Sequence, residues 1–435
     1  MKESGIDWIG QIPEEWGISK IKFTTQLNGR IGWQGLTSAE YKEEGPYLIT
    51  GTDFHNGTIN FETAVHIDEK RWSEASQIQV ENGDLLITKD GTVGKVAIIS
   101  GLDDKASLNS GVLRIQTIDE IDRRFLYYVL LSDEFWMWFN YTNSGASTIL
   151  HLYQNVFDEF TFTFPQKNEQ QKIADFLDKK TAQLDKVKSL LEEQIQKLKD
   201  YRASLIYETV TKGLDKTVPM KDSGIDWIGQ VPQGWGVSRL KYLTNKIGSG
   251  KTPLGGSEIF EETGILFIRS QNIYNGLILL EDKATYINRN IHQQMIGTCV
   301  KKNDILLNIT GASIGRVAKY DLDIEANVNQ HVCIIRSNRH VLPDYLMYFI
   351  MSEFGQFMIK THQISGNREG LSFENIGNFK IIAPELDYQY EISQYLNKKM
   401  LTINQMIKTK EQQIANINKQ RQTLIYDYVT GKRRV

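Results

Sequence analysis

Two long stretches of the chain carry hydrophobic residues at a seven-residue spacing. Residues 166–212 and 385–430 contain neither glycine nor proline, and each begins directly after a proline. Such stretches favour long helices, and the preceding proline favours a helix boundary. A seven-residue repeat is typical of a coiled-coil seam. The predicted seam residues are Leu177, Leu184, Leu191, Leu198 and Leu205 in the first helix, and Leu396, Ile403, Ile417 and Leu424 in the second, where Lys410 interrupts the repeat. Flanking apolar residues widen the predicted stripe: Val187, Ile195, Tyr201, Met406, Ile407 and Ile414.

Short apolar runs separated by turn residues fill the segments before the two helices. Examples are the runs that begin at Tyr47, Leu85, Val96, Ile265 and Val332. This spacing predicts strands, and one helical segment recurs in each half, near 123–139 and 343–359. Each long helix is therefore expected to follow a mixed, strand-rich domain.

The chain contains an internal repeat. Residues 1–22 and 220–241 are identical at 15 of 22 positions, and the same offset of 219 relates Pro165 to Pro384 far downstream. The two halves therefore have nearly equal length and one shared fold. Their middles, about 23–160 and 242–380, have diverged, although landmarks survive such as Gly94-Lys95 and Gly315-Arg316.

The repeat and the helices together define a predicted architecture. We expect an α+β fold with two strand-rich mixed domains and two long antiparallel coiled-coil helices. A pseudo-two-fold internal repeat relates the two halves. A helix of about 40 residues spans roughly 60 Å, so the helix pair would form a rod that fixes a distance. The predicted boundaries are 1–165 for the first head, 166–212 for the central helix, 213–384 for the linker and second head, and 385–435 for the last helix and a basic tail.

Composition narrows the class of protein. Hydrophobic residues make up 40% and charged residues 24%, which is typical of a soluble globular chain. No apolar run is long enough to cross a membrane, and the N-terminus does not resemble a signal peptide. Cys299 and Cys333 lie in apolar surroundings and are predicted to be buried, which fits a reducing cytoplasm. The net charge of −3 counts mildly against nucleic-acid binding, but it does not describe local patches.

Catalytic signatures are missing from the sequence. Gly248-Ser249-Gly250-Lys251-Thr252 resembles part of a P-loop, but the first glycine of that motif would fall at Asn245. The seven histidines are scattered without ligand spacing, and His331 fits a structural role better than a catalytic one. The sequence therefore predicts no catalytic residues and no metal site. The absence of catalytic signatures disfavours a stand-alone enzyme that acts on DNA.

The repeated frame resembles one known family. The segment from Asp7 to Gly10 recurs from Asp226 to Gly229, and the link from Thr211 to Met220 joins the halves. Together with the two proline-entered helices, these pieces resemble the specificity subunits of type I restriction–modification enzymes over the whole chain.

This resemblance implies a function and a set of partners. Each head would be a target recognition domain that reads one half of a split, asymmetric site in double-stranded DNA, and the helices would set the gap between the halves. The subunit would join two methyltransferase subunits and recruit restriction subunits that translocate DNA. S-adenosylmethionine, ATP and magnesium would be bound by those cytoplasmic partners, with no cofactor in this chain. A specificity subunit of a methylation-only or other phage-defence complex is the alternative. A coiled-coil structural protein without DNA would not explain why the heads diverged.

Candidate DNA contacts are polar and basic residues beside glycine turns. Base reading requires side chains with paired donors and acceptors on exposed loops, and phosphates require lysine, arginine or small polar loops. Solvated surface is the alternative for each residue, and the pairs Trp8/Trp16 and Trp227/Trp235 fit packing better than base stacking. The candidates in the first head are Arg30, Trp33, Gln34, Lys89, Lys95, Ser144 and Ser147. The candidates in the second head are Ser249, Lys251, Thr252, Arg269, Gln271, Asn272, Arg316, Asn367 and Arg368.

Overall fold

A computed structural model describes residues 1–30, 36–143, 150–225, 227–253, 255–281, 283–363 and 370–435. The chain forms two compact units, and each unit combines one head with parts of both long helices. The first unit contains Met1–Leu191 and Glu411–Val435, and the second contains Glu192–Lys410. The predicted α+β class, with two repeated domains and two long helices, is confirmed.

Strands of the first head form two four-stranded sheets and several short pairs. One sheet has the order β11-β10-β13-β4 and is antiparallel; the other has the order β8-β5-β12-β9 and contains a parallel pair, β5 with β12. The strands are β1 Lys2–Glu3, β2 Gln11–Ile12, β3 Gly17–Lys20, β4 Thr25–Gly29, β5 Lys42–Ile49, β6 Phe54–His55, β7 Thr58–Ile59, β8 Val65–His66, β9 Gln79–Val80, β10 Leu85–Thr88, β11 Val96–Ile98, β12 Ala106–Leu108, β13 Val112–Thr117 and β14 Thr161–Phe164.

The second head repeats this topology. Its sheets have the orders β18-β27-β24-β25 and β22-β19-β26-β23, again with one parallel pair, β19 with β26. The strands are β15 Met220–Asp222, β16 Gln230–Pro232, β17 Gly236–Arg239, β18 Thr244–Ser249, β19 Ile265–Ile268, β20 Ile273–Tyr274, β21 Leu277–Ile278, β22 Tyr286–Ile287, β23 Cys299–Val300, β24 Ile305–Asn308, β25 Val317–Lys319, β26 Ala326–Val328, β27 Val332–Ser337 and β28 Lys380–Ala383.

Short helices complete each head, and one long helix follows each head. The short helices of the first head are α1 Ile21–Thr24, α2 Glu69–Ser73, α3 Arg123–Leu131, α4 Asp133–Thr142 and α5 Gln154–Phe157, followed by the long helix α6 Lys167–Lys212. The second head contains α7 Arg289–Gln294, α8 Pro343–Met351, α9 Glu353–Thr361 and α10 Phe373–Gly377, followed by the long helix α11 Leu386–Val429.

The central strand β10 is buried on both faces, which explains its unbroken apolar run. Side chains alternate between the faces of a strand. Leu85 and Ile87 pack with α3, α4 and the N-terminal segment, whereas Leu86 packs between the two sheets. A purely alternating pattern would have left one of these faces polar.

The helical segment predicted near 123–139 is broken into two helices at Ser132, and that near 343–359 is broken at Ser352. Both serines have extended backbones, with ψ of 162° and 157°. Their hydroxyls donate to the carbonyls of Val129 at 2.7 Å and Phe349 at 2.6 Å. Because serine competes for backbone hydrogen bonds, it favours this kind of break.

A buried glutamine anchors the start of α6 to the first head. The Gln170 amide nitrogen donates to the carbonyls of Pro165 at 2.8 Å and Glu120 at 3.0 Å, and its oxygen accepts from the Asp122 backbone nitrogen at 2.8 Å. These three hydrogen bonds therefore fix where the helix leaves the head.

Gln389 makes the same contacts at the start of α11. Its amide nitrogen donates to Pro384 at 2.8 Å and His340 at 3.3 Å, and its oxygen accepts from the Leu342 backbone nitrogen at 2.8 Å. The two glutamines are 219 residues apart, so the repeat preserves the anchor.

Within the first unit, α6 and α11 are antiparallel. The ring of Phe176 lies 4.6 Å from that of Tyr428, and Asp185 lies 3.6 Å from Arg421. Later positions of α6 thus meet earlier positions of α11.

Within the second unit the same relation holds. Lys410 donates to the side-chain oxygen of Gln194, and Arg202 donates to Asn404 at 3.1 Å. Of the seam residues, Leu177, Leu396 and Ile403 are buried, and the other six are partly buried. The stripe is narrower than the sequence predicts, because three flanking residues are exposed: Val187, Tyr201 and Met406.

Each long helix is followed by a glycine that packs against a frame tryptophan. Gly213 and Gly431 have φ of +74° and +69°, the left-handed conformation that ends many helices. A Cβ added at these positions would lie 3.2 Å from the Trp235 ring and 3.4 Å from the Trp16 ring. Glycine therefore permits both the turn and the close approach.

A buried aspartate in each head is neutralised by an arginine from a neighbouring strand. Asp84 lies 2.8 Å from Arg114 Nε, and Asp304 lies 2.7 Å from Arg336 Nε; both carboxylates are 1% exposed. The two arginines do not occupy equivalent positions. Arg114 pairs in register with Leu86, whereas Ile334 occupies that place in the second head.

Candidate nucleic-acid interface

Five loop segments of the first head meet at one end of its sheets. We name residues 30, 50–53, 89–95, 109–111 and 150–152 the first loop edge. They meet because β4, β5, β10 and β12 end at this side while β13 begins there, as the register Thr88 with Val112 requires.

Backbone hydrogen bonds hold the first loop edge together. The Lys89 nitrogen donates to Gly111 at 2.8 Å, and the Leu152 nitrogen donates to Lys89 at 2.9 Å. The Asn109 nitrogen donates to Ile49 at 2.9 Å, which continues the pairing of β5 with β12 into this end. Loops positioned by a rigid scaffold are common carriers of binding residues.

The second head forms a matching surface. Residues 249–253, 269–271, 309–316, 329–331 and 370–371 constitute the second loop edge. The Lys251 nitrogen donates to Val328 at 3.2 Å, and the Ile309 nitrogen donates to His331 at 3.0 Å. The same strand ends therefore gather in both heads.

Both predicted lysines of the first head lie on the first loop edge. Lys89 is half-buried, whereas Lys95 is exposed and its Nζ lies 3.4 Å from the Gly51 carbonyl oxygen. Mobile ammonium groups in such a position suit phosphate oxygens.

The prediction that Arg30 lies on an exposed loop is wrong. Arg30 is 4% exposed, and its guanidinium donates to the Leu108 carbonyl at 2.9 Å and the Ser107 hydroxyl at 3.2 Å. This burial lowers the pKa of the guanidinium. Arg30 joins the end of β4 to β12 and so links the two sheets at the first loop edge.

Three exposed candidates of the second head lie on the second loop edge: Lys251, Thr252 and Gln271. Ser249 is half-buried at the end of β18, and its hydroxyl donates to the Gly250 carbonyl at 3.3 Å. These residues combine a cation with short polar groups, the mixture expected at a phosphate or base edge.

Arg269 and Asn272 are held within the second head. Arg269 donates to the Thr285 hydroxyl at 2.5 Å and lies 5.4 Å from the Phe260 ring centre. Asn272 is 1% exposed and donates to the carbonyls of Leu279 and Lys283, each at 3.0 Å. The prediction that Asn272 is exposed is wrong, because its amide links the turn before β20 to the segment after β21.

Arg316 is exposed at the end of the second loop edge. Its guanidinium lies 5.0 Å from the ring centre of Tyr274, the residue before the Asn275-Gly276 turn. Asn275 and Gly276 have φ of +49° and +84°, as a tight hairpin turn requires. The stacked arginine is oriented and still solvent-facing.

Six candidates fall outside the described residues. They are Trp33, Gln34, Ser144, Ser147, Asn367 and Arg368. The roles of these six residues therefore remain predictions from the sequence.

Several polar residues of the two edges were not among the sequence candidates. On the first edge, His151 Nδ1 lies 2.6 Å from an Asp90 carboxylate oxygen. On the second edge, His331 Nδ1 contacts the Thr310 hydroxyl and Nε2 lies 3.0 Å from the Gln330 amide. A usable sequence signal was the shared turn Asn109-Ser-Gly and Asn329-Gln-His before β13 and β27.

The frame tryptophans pack rather than line the loop edges. Trp16 and Trp235 are 1% and 5% exposed. Trp227 is 40% exposed, and its ring stacks 4.4 Å from that of Phe354 in α9. A packing role therefore fits them better than base stacking.

The Gly248–Thr252 segment does not have the local structure of a P-loop. Gly248 and Ser249 lie in β18, and residues 250–253 form no helix. Cys333 is buried, which raises the pKa of its thiol to about 12, whereas Cys299 is half-buried. Within the described ranges, no group of three His, Cys, Asp or Glu residues could hold a metal ion. No helix in those ranges combines the length and apolarity needed to cross a membrane.

Comparison with known proteins gives a consistent family. A family model for the type I restriction modification DNA specificity domain matches residues 14–199 and 232–416. The chain is 26% identical to the type I restriction enzyme EcoBI specificity subunit of Escherichia coli, over 99% of this chain and 89% of that protein. It is 25% identical to the MjaVIII specificity subunit of Methanocaldococcus jannaschii, over 98% and 94%.

One solved structure shares the fold. That structure is described as the structural basis of complex assembly and conformational transition of the type I R-M system. That chain aligns with a TM-score of 0.71 at 13% identity, covering 97% of this chain and all of the other. The likeness concerns the fold alone.

Proposed function

Because the chain belongs to the type I restriction modification DNA specificity domain family, we propose that it is the DNA-specificity subunit of a type I restriction–modification complex. Each head reads one half of a split, asymmetric DNA site, and the long helices set the unread gap. The subunit performs no catalysis itself. Methyl transfer and ATP-dependent cleavage, with S-adenosylmethionine, ATP and magnesium, belong to two methyltransferase subunits and the restriction subunits.

The observation that carries this proposal is the pair of loop edges. The same strand ends bear different hydrogen-bonding groups in the two heads. Asp90 corresponds to Thr310, and Ser110-Gly111 corresponds to Gln330-His331. Each base pair presents its own pattern of donors and acceptors in the major groove. Two unlike edges on one frame are therefore suited to two unlike half-sites.

The direct test is to map methylation by the assembled complex. The chain is co-expressed with the methyltransferase encoded beside it, and methylated adenines are mapped by single-molecule sequencing. We expect a motif of two different halves separated by a fixed gap. A continuous or palindromic motif, or a stable complex without any motif, would overturn the proposal.

Exchanging one head separates the contributions of the two edges. Residues 23–160 are replaced by the equivalent segment of a relative, and residues 242–380 are replaced in a matched variant. Each exchange should change one half of the motif and leave the other half intact. If either exchange changes both halves, the heads do not read independently.

The role of the helices is tested by inserting one heptad within 168–208 and a matching heptad in α11. Seven residues add about 10 Å, close to three base pairs along B-DNA. The gap should lengthen by about one to three base pairs while both half-sites persist. An unchanged gap would show that the helices do not measure it.

A further inference from the structure

His151 and Asp90 form an oriented pair on the first loop edge. His151 Nδ1 lies 2.6 Å from the Asp90 Oδ1, and the two side chains are 39% and 42% exposed. Asp90 lies two residues after the end of β10, and His151 lies between α4 and α5. The pair therefore joins two loops at the surface that we propose reads DNA.

The backbone beside this pair is fixed as well. The neighbouring Leu152 is buried and donates to the carbonyl of Lys89, the residue before Asp90, at 2.9 Å. The His151 ring also lies 5.7 Å from the Tyr153 ring. Both loops are thus held next to each other independently of the side-chain pair.

The contact determines which ring nitrogen is available. A carboxylate accepts the Nδ1 proton, so the neutral ring carries its lone pair on Nε2. Nε2 makes no hydrogen bond to any residue in the described part of the chain. An exposed acceptor of fixed direction remains.

Charge also argues for a specific role. An unpaired carboxylate would repel the phosphates of DNA, whose charge dominates binding. Asp90 instead lies between Lys89 and Lys95 in the sequence, whose positive charges offset its own, and its carboxylate accepts from His151. The lysines suit phosphates because they are mobile point charges, whereas an oriented imidazole suits a base edge.

We propose that His151, positioned by Asp90, reads one base of the half-site recognised by the first head. Nε2 accepts a hydrogen bond from an exocyclic amino group in the major groove, N6 of adenine or N4 of cytosine. This inference rests on the proposed function and adds a specificity-determining residue with its positioning partner. In the second head Thr310 replaces Asp90 and contacts His331, so the imidazole there comes from a different loop.

The experiment maps methylation motifs of the full complex with His151→Ala, Asp90→Ala and Asp90→Asn. His66→Ala is the matched control, since His66 lies on β8 outside the loop edge and its Nδ1 makes a contact of the same 2.6 Å with the Gly45 carbonyl. His151→Ala should raise methylation at sites altered at one base of one half-site by about fivefold to tenfold. That position should lie in the half-site that changes when residues 23–160 are exchanged.

Asp90 is tested as a positioning residue by rescue. Asp90→Ala should relax the same base position, whereas Asp90→Asn should retain most of the discrimination because the amide oxygen still accepts the Nδ1 proton. The half-site read by the second head is the internal control in the same molecules, since it should remain unchanged in every variant.

The outcomes separate the two proposals. A wild-type complex that methylates no split motif would overturn the proposed function and this inference together. A split motif that His151→Ala leaves unchanged would overturn the inference alone. A uniform loss of methylation at all sites, or relaxation at a position of the half-site read by the second head, would also overturn it.

Discussion

The two heads preserve the same interactions with different residues. In each, a buried aspartate meets an arginine, but Arg114 and Arg336 come from positions two residues apart on equivalent strands. Tyr128 donates to Asp178 at 2.7 Å, and Tyr348 donates to Asn397 at 2.7 Å. The comparison shows that the frame is constrained at its hydrogen bonds and ion pairs, while residue identity can drift.

The heads differ more sharply at one buried position of the second short helix. Ser132 and Ser352 precede α4 and α9, so Glu134 corresponds to Phe354. Phe354 stacks on Trp227, whereas the fully buried carboxyl of Glu134 has no hydrogen-bond partner among the described residues. This difference, unlike the others, changes the chemistry of the core.

Removing a buried aspartate should have the largest effect. Asp304→Ala leaves the Arg336 guanidinium without its carboxylate, so we expect the second head to lose about 3 kcal/mol of stability. Hydrogen exchange of β24 and β27 in the full-length chain measures the loss locally. Asp321→Ala is the control, because Asp321 is 64% exposed and pairs with the same head's Lys319. Equal losses of stability in the two variants would contradict the conclusion that the buried Asp304–Arg336 pair stabilises the second head.

Removing an anchor glutamine should cost somewhat less. Gln389→Ala leaves the buried Pro384 carbonyl and Leu342 nitrogen unpaired, and we expect a loss of about 2 kcal/mol. Gln170→Ala should cause the same loss in the first unit because the contacts match. Exchange rates of the first turns of α6 and α11 report both. A loss confined to one unit would break the symmetry that the anchors suggest.

Replacing Glu134 should stabilise the first head. Glu134→Leu removes a buried carboxyl without a partner, and we expect a gain of about 1–2 kcal/mol. Burial raises the pKa of Glu134 well above its ordinary value of 4.5. The unfolded chain therefore loses this proton first, so the stability of the wild type should fall as pH rises above 4.5.

Glu134→Gln isolates that pH effect, since it removes the ionisation and keeps the shape. Urea unfolding of the first head as a function of pH should show a smaller decline in this variant than in the wild type. A wild-type stability that rises with pH relative to Glu134→Gln would contradict the sign.

The difference between the two tyrosine contacts should be the smallest effect. Tyr128→Phe loses a hydrogen bond to a carboxylate and should cost about 2 kcal/mol, whereas Tyr348→Phe loses one to an amide and should cost about 1 kcal/mol. Thermal unfolding with local hydrogen exchange measures the difference. In an Asp178→Asn background both tyrosines donate to an amide, so the difference between the two costs should disappear. A difference that persists in this background must have another origin.

The sequence predicted the long helices well because their signal is local and uninterrupted. The repeat then predicted that both heads share one fold. The breaks at Ser132 and Ser352 were missed because apolar periodicity continues across them. A hydroxyl that competes for the backbone has no effect on that period.

The candidate site was harder to predict because its residues are positioned by distant strands. Arg30 looked exposed beside glycines, but its partners, Ser107 and Leu108, lie more than 70 residues away. Asp90 and His151 are 61 residues apart and meet through sheet register. Residue type predicted candidates, whereas tertiary contacts decided which side chains face solvent.

The composition of the units has a consequence for synthesis on the ribosome. The second unit is a continuous stretch, Glu192–Lys410, so its core is complete once that stretch has emerged. The core of the first head also includes Ile425, Tyr428 and Val429. Domains usually fold as they emerge, N-terminal first. Here the head that is translated first is complete only after residues 425–429 have emerged, so the nascent chain should finish its second head before its first.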